Sequence, residues 1–221
     1  MCGIAGIIGR LDDFNLAALG RMSDAMVHRG PDAGGTWVSA PDARGWGALL
    51  AHRRLSILDL SPAGAQPMVD SLTGHAVVLN GEIYNFRDLR RRLVAEVQEL
   101  RSTGDTAVLL RALGLYGAGA VGWLRGMFAF ACWDPKQRRL LLARDPLGIK
   151  PLYLARSSDP SAGWSIVFAS ELRTLLASGL LGTPHLDPQA VASSVWNGFV
   201  VGPGTAIKGV EPVKGRLVQA V

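Results

Sequence analysis

Residues 128–144, FAFACWDPKQRRLLLAR, leave the chain little conformational choice. Two apolar stretches flank Asp134-Pro135, and a segment patterned in this way closes as an antiparallel hairpin. Around it the chain reads as strands with helices set between them, without the strict strand-helix alternation of a parallel doubly wound sheet. Cys2–Ile8 is a short apolar strand. Asn15–Val27 carries Leu16, Leu19, Met22 and Met26 at helical spacing and runs into HRGPDAGG, where proline and glycine stop it. Strands are predicted at Gly35–Ser39, Ala48–Leu60 and Ala76–Glu82, the last two separated by the turn chemistry of SPAGAQP. Helices follow at Phe86–Val97 and Asp105–Leu115, then strands at Leu152–Ala155 and Ser165–Ala169, then helices at Glu171–Ala177 and Pro188–Trp196. The sum is an α+β layered sandwich. Residues 2–200 read as one domain, and 201–221 as a Gly- and Pro-containing tail leading toward a further domain.

With 221 residues and 48% apolar composition, the chain can bury one sizeable core. Apolar runs such as Cys2–Ile8 and Met127–Trp133 are seven residues, well short of the roughly 18 to 20 that span a bilayer. No transmembrane helix is expected, and MCGIAGIIG lacks the basic start of a secretory signal. Two cysteines are too few for a disulfide framework, so a cytoplasmic setting is expected. The net charge of +5 and the cluster Arg87, Arg90, Arg91 and Arg92 raise nucleic acid as a partner. These arginines share a helix with Leu89, Leu93 and Val97 at i, i+4, i+8, and no aromatic platform alternates with them. They read as a solvated helix face, with no nucleic-acid partner expected. The four histidines and two cysteines show no ligand spacing, so no metal site is expected.

Cys2 is the chemically informative residue. If Met1 is removed, it carries a thiol and an α-amine together. An amine titrating at about 7.7 to 8.0 can take the thiol proton and return it to a leaving group. Position alone also suits a small buried hydrophobe. Cys132, by contrast, shares a face with Phe128 and Phe130 in alternating FAFACWD and reads as an inert core thiol.

With CGIAGIIG at the start, HRGPD at 28–32, LAHRRLSILDL at 50–60, GAQP at 64–67, LNGEIYN at 79–85, RDPLGIKPLY at 144–153 and FASELRTLL at 168–176, the chain resembles the glutaminase domain of asparagine synthetases. The match runs in order through roughly the first 180 residues. Glucosamine-phosphate synthases and purine-pathway amidotransferases usually carry histidine before the Asn-Gly pair, where this chain has Leu79. The resemblance implies an N-terminal-nucleophile hydrolase fold, a four-layer αββα sandwich of two antiparallel sheets between helices. It also implies glutamine hydrolysis to glutamate and ammonia through a Cys2 thioester.

By the same resemblance the Asn80 side-chain amide and the Gly81 N–H form an oxyanion hole, where loss of one donor costs about 3 to 4 kcal/mol of barrier. Standing alone, Asn80-Gly81 would read as a hairpin turn. Arg54 aligns with the clamp for the substrate α-carboxylate, leaving Arg53 as a solvated residue. The backbone of Leu55, Ser56, Ile57 and Leu58 is expected to line the glutamine pocket. Asp105, with Glu82 beside it, is placed to meet the α-ammonium, and it also suits a helix N-cap. His28, Arg29 and Asp32 are expected to brace the loop beside the site. The chain departs from its relatives at Ala107, where many carry glutamate.

Asparagine synthetases continue into an ATP-pyrophosphatase domain with an SGGxDS-type loop, and no such loop occurs in these residues. The implied enzyme is the glutaminase half only, with no cofactor of its own. ATP and Mg belong to a synthetase domain, in cis or trans, that accepts the ammonia. Two other readings stay open on sequence: a catalytically idle glutamine-binding or docking domain of a larger assembly, and an amidase acting on another amide. A homodimer is also left open.

Overall fold

The computed structural model describes residues 1–56, 61–93 and 102–214. Its strands form two antiparallel sheets. In the larger, β10 (Val210–Pro212), β8 (Tyr153–Arg156), β9 (Trp164–Ala169), β1 (Gly3–Arg10), β3 (Trp46–Arg54) and β2 (Ala33–Val38) lie side by side in that order. In the smaller, β4 (Met68–Val69), β5 (Ala76–Ile83), β6 (Gly126–Asp134) and β7 (Arg139–Arg144) follow one another, and β6–β7 is the hairpin that the sequence demands. Helices α1 (Asp13–Ala25) and α4 (Leu172–Ala177) cover the outer face of the larger sheet. Helices α2 (Phe86–Leu93) and α3 (Asp105–Tyr116) cover that of the smaller one, and α5 (Pro188–Asn197) follows α4 along the chain. This is the four-layer αββα sandwich.

Strand alternation decides which layer each side chain joins. Along β1, Ile4 and Ile8 enter the layer between the sheets while Ala5 and Ile7 pack under α1. Along β3, Ala48 and Leu50 point inward and Leu49 and Ala51 outward, and on β5 Val78 points inward between the outward Val77 and Leu79. Extending these parities puts Cys2, Arg54 and Asn80 on the inter-sheet side, and Arg53 on the helix side.

That parity corrects one expectation. Arg53 is not a solvated residue: its Nε donates to Ser23 O and Oγ at 3.1 and 3.0 Å and its Nη2 pairs with Asp24 at 2.8 Å, tying β3 to α1. Asn80-Gly81 is not a turn either. Both residues lie inside β5, paired with Ala129 and Phe128. Gly81 adopts φ 142°, and a Cβ there would sit 2.1 Å from Met127 O, so no other residue fits without moving the ladder.

Other departures are local. α1 starts at Asp13 because the Asp12 carboxylate caps Asn15 N at 2.9 Å. β3 ends at Arg54, and the rest of the strand expected to Leu60 falls partly on residues outside the described set, as does the end of α2 toward Val97. Within the stretch read as a tail, β10 adds to the edge of the larger sheet and Thr205 is buried, so the sheet is completed beyond residue 200. A three-residue strand containing Pro212 carries no periodicity to reveal it.

The arginine-rich face of α2 is solvated in part. Arg91 is exposed and pairs with Asp88, while Arg90 donates to Ser102 O at 2.8 Å and Arg92 stacks over Trp123 at 5.1 Å. Asp105–Trp123, comprising α3 and the 3-10 turns after it, is 19 residues long and apolar enough to span a bilayer by length and composition. Here it is a core helix: Val108, Leu109, Ala112 and Leu113 pack onto the smaller sheet, and its Arg111 forms a buried ion pair with Asp70.

Candidate active site

Cys2 stands one residue before β1, whose first pair is Gly3 with Arg53, so the antiparallel register brings it beside Arg54 and Leu55. Its Sγ lies 3.4 Å from the Leu55 amide, which donates to it, and 3.6 Å from the Leu55 carbonyl. Arg29 fixes the other side of the residue. Its Nε donates to Cys2 O at 2.9 Å and its Nη1 to Glu171 Oε1 at 2.9 Å, and the side chain is buried. His28 Nε2 lies 3.1 Å from the same Glu171 oxygen, and Asp32 Oδ2 accepts from Ser56 N at 2.8 Å. HRGPD thus holds both the Cys2 carbonyl and the chain leaving β3. Burial works against ionisation of Glu171, but its bonds to Arg29 and His28 outweigh it and hold the carboxyl below its usual range.

Cys2, Arg54, Leu55, Gly81, Glu82 and Asp105 line a single cleft. Asn80, just behind it, is 1% exposed, and its Nδ2 has no hydrogen-bond partner among the described residues. A buried amide donor left unpaired is costly and calls for an acceptor. Ser56 lies outside the lining, and Ile57 and Leu58 lie outside the described residues. Arg54 Nη1 donates to Ser61 O at 3.2 Å.

Asp105 is the first residue of α3, and Gly104, not Asp105, is the N-cap. Freed from capping, its Oδ2 accepts from Ile83 N at 2.9 Å, next to Glu82 at the end of β5. Burial raises its pKa, against the hydrogen bonds from Ile83 and Thr106 that favour the charged form. Among the described residues no cation pairs with this buried carboxylate, a destabilising arrangement that a ligand ammonium would relieve. Ala107 is buried on α3. Among the described residues no group of three or more His, Cys, Asp or Glu side chains could hold a metal ion.

Several polar residues at the site were not singled out from sequence. His52, fully buried on β3, reaches across the inter-sheet layer to Leu79 O at 3.2 Å. Because a carbonyl only accepts, the proton must sit on Nε2. Gln66 Oε1 accepts from Leu79 N at 2.6 Å and its Nε2 donates to Thr106 Oγ1 at 3.3 Å, so β5 is tied to α3 beside the oxyanion candidates. The available signal was parity: in LAHRRL, His52 shares the inward face of Leu50. Asp145 of RDPLGIKPLY, 1% exposed, accepts from Phe128 N, Ile149 N and Lys150 N at 3.3, 2.9 and 3.0 Å, and Phe128 is the ladder partner of Gly81.

His52 makes stability depend on pH. Burial, helped by the Arg54 charge and opposed by the Leu79 hydrogen bond, pushes its pKa down from 6.5 to about 4. Between those values the unfolded chain binds the proton and the folded chain does not, so stability falls as pH falls. The expected loss between pH 7 and 4.5 is about 2 to 3 kcal/mol from this residue. Urea unfolding at the two pH values measures it, and His52→Gln must remove that part of the difference.

A family model described as a glutamine amidotransferase domain matches residues 1–219. Glutamine-hydrolyzing asparagine synthetase 3 of Bacillus subtilis is 34% identical over 230 residues, covering 97% of this chain and 34% of that protein. A putative glutamine-hydrolyzing asparagine synthetase 2 of Methanocaldococcus jannaschii is 32% identical, covering 98% of this chain and 43% of that one. Amidase chry2 of Gibberella zeae is 38% identical over 71% of this chain and 22% of its own length. The chain therefore spans less than half the length of these curated relatives. Among solved structures, the glutamine phosphoribosylpyrophosphate amidotransferase of B. subtilis, complexed with ADP and GMP, superposes with a TM-score of 0.60 at 20% identity, over 80% of this chain and 44% of that one. An allosteric regulatory enzyme of purine biosynthesis gives 0.62 at 21%, over 80% of this chain and 43% of that one. Those two likenesses establish the fold, and the family match establishes the relationship: the chain belongs to the glutamine amidotransferase domain family.

Proposed function

We propose that this chain hydrolyses L-glutamine to L-glutamate and ammonia, with Cys2 as nucleophile after removal of Met1. The observation that carries the reading is the cleft itself, in which Cys2, Arg54, Gly81 and Asp105 converge from four separate parts of the sequence. The Cys2 α-amine takes the thiol proton, and the thiolate attacks the side-chain amide carbon of glutamine. Negative charge on the former carbonyl oxygen is met by the Asn80 Nδ2 group, which has no hydrogen-bond partner among the described residues, and by the Gly81 N–H. The amine then protonates the departing ammonia, leaving a Cys2 thioester that water cleaves to glutamate. Arg54 holds the substrate α-carboxylate and Asp105, with Glu82, the α-ammonium; the backbone of Leu55–Leu58 completes the pocket. The chain supplies ammonia to an ATP-dependent, asparagine-synthetase-type amidation by a synthetase domain, in cis or trans. ATP and Mg act there, and none of these steps needs a cofactor in this chain.

Two experiments test the reading. Intact mass of the active protein is expected to show loss of Met1, and a glutamine-like electrophile such as a diazoketone analogue is expected to add once, at Cys2; active enzyme that retains Met1 would falsify the mechanism. Asp105→Asn separates substrate binding from folding. The change removes a buried carboxylate whose ionisation burial opposes, while its amide oxygen still accepts from Ile83 N. The melting temperature is expected to rise, and KM for glutamine to rise by about 10- to 100-fold as a hydrogen bond to a charged group is lost. A lowered melting temperature with unchanged KM would remove Asp105 from the site.

A further inference from the structure

Lys150 belongs to the RDPLGIKPLY loop and is only 7% exposed, although it carries an ammonium group. Among the described residues the contact of its Nζ is the Met1 Sδ, 3.4 Å away. A thioether is a weak acceptor, so a buried cation is held against the start of the chain with little to satisfy it. The loop is built to keep it there. Arg144 Nε donates to Lys150 O at 2.9 Å, and the Asp145 carboxylate accepts the Lys150 amide while also accepting that of Phe128, across the ladder from Gly81. One buried carboxylate therefore sets the position of Lys150 relative to the oxyanion strand.

We propose that Lys150 is a positioning residue for the N-terminal base: once Met1 is removed, its ammonium faces the freed Cys2 α-amine and keeps that amine in the unprotonated form that accepts the thiol proton. The inference rests on the reading of Cys2 as nucleophile. Covalent reach through Met1 puts Nζ within about 10 Å of the Cys2 nitrogen. A like charge at that distance, in the effective dielectric of a protein, disfavours protonation of the amine by roughly one pH unit. The other charged groups about the N-terminus are Arg29 with Glu171 on one side, Arg54, Glu82 and Asp105 around the cleft, and Asp145 behind the loop. Glu82 and Asp105 oppose Lys150, and a bound substrate ammonium offsets them, so the effect is largest in the glutamine complex.

The test is the pH profile of glutamate release by this chain, with Met1 loss verified by mass, for the wild type, Lys150→Met and Lys150→Arg. In Lys150→Met the acid limb is expected to move up by about one pH unit, while the alkaline plateau stays within a few-fold of wild type. Lys150→Arg, which keeps the charge, is expected to keep the wild-type limb. A loss of the same factor at every pH would overturn the proposal and leave the Cys2 mechanism standing. Full activity in Cys2→Ala would instead overturn the mechanism. Should Lys150→Met fail to fold, NMR titration of the wild-type protein labelled with nitrogen-15 at Cys2, with a non-hydrolysable glutamine analogue bound, decides the matter. An α-amine titrating about one unit below the ordinary 7.7 to 8.0 supports the proposal, and one at or above that range overturns it.

Discussion

Replacing Cys2 by alanine is expected to lower glutamate release by on the order of 10⁴-fold or more while leaving glutamine binding within a few-fold of wild type. No second thiol can take over. Cys132 is buried on β6 among Phe128, Phe130 and Val77, and burial, with the charge of Asp134 adding, pushes its pKa far up. The groups proposed to hold the ends of the substrate, Arg54 and Asp105, are untouched by the change, so affinity and rate are expected to separate cleanly. A coupled assay for glutamate and calorimetry with glutamine measure the two. Residual activity above a few per cent would assign the chemistry elsewhere. Unchanged binding with no wild-type turnover would mark the chain as a binding domain.

The largest loss of stability is expected at Asp70, far from any chemistry. Its carboxylate accepts from Arg111 Nη2, Leu72 N and Thr73 Oγ1 at 3.1, 3.1 and 3.0 Å, and both charged side chains are almost wholly buried. Asp70→Ala strands the Arg111 guanidinium inside the layer between α3 and the smaller sheet, which costs about 3 to 5 kcal/mol. For a chain of this size that lowers the melting temperature by roughly 10 °C. Removing both charges together, as Asp70→Leu with Arg111→Met, is expected to restore most of the loss. Urea unfolding of the two single variants and the double variant measures the coupling. A double variant no better than Asp70→Ala would mean the pair contributes through its shape and not its charge.

Much of this architecture was legible because its signals are local. The β6–β7 hairpin is written in two apolar runs about Asp134-Pro135, and the N-terminal motif and the Asn80-Gly81 segment identify the family in the order they occur. What local signals do not carry is which partner a face meets. Arg53 and Arg54 are chemically identical neighbours. Parity sends one to α1 and the other to the cleft, and it can be read only once Leu50 is known to face the second sheet. Asn80-Gly81 has the composition of a turn, yet pairing with Ala129 and Phe128 overrides that preference, and glycine's tolerance of positive φ permits it. Asp105 has the composition of a cap, but a glycine takes that position and leaves the carboxylate for the cleft. His52 sits in a motif that was recognised, and its role was still hidden. A lone histidine in an apolar strand gives no hint of a carbonyl on the opposite sheet.

Cys2, the proposed nucleophile, is carried by one sheet and Asn80 and Gly81, the proposed oxyanion donors, by the other, and the layer between them includes Ala48, Ala76, Ala129 and Ala131. Reaction distance is therefore a manufacturing tolerance, fixed by the stacked thickness of methyl groups that never meet the substrate. Evolution of turnover in such a molecule acts on volume in the interior as directly as on chemistry at the mouth.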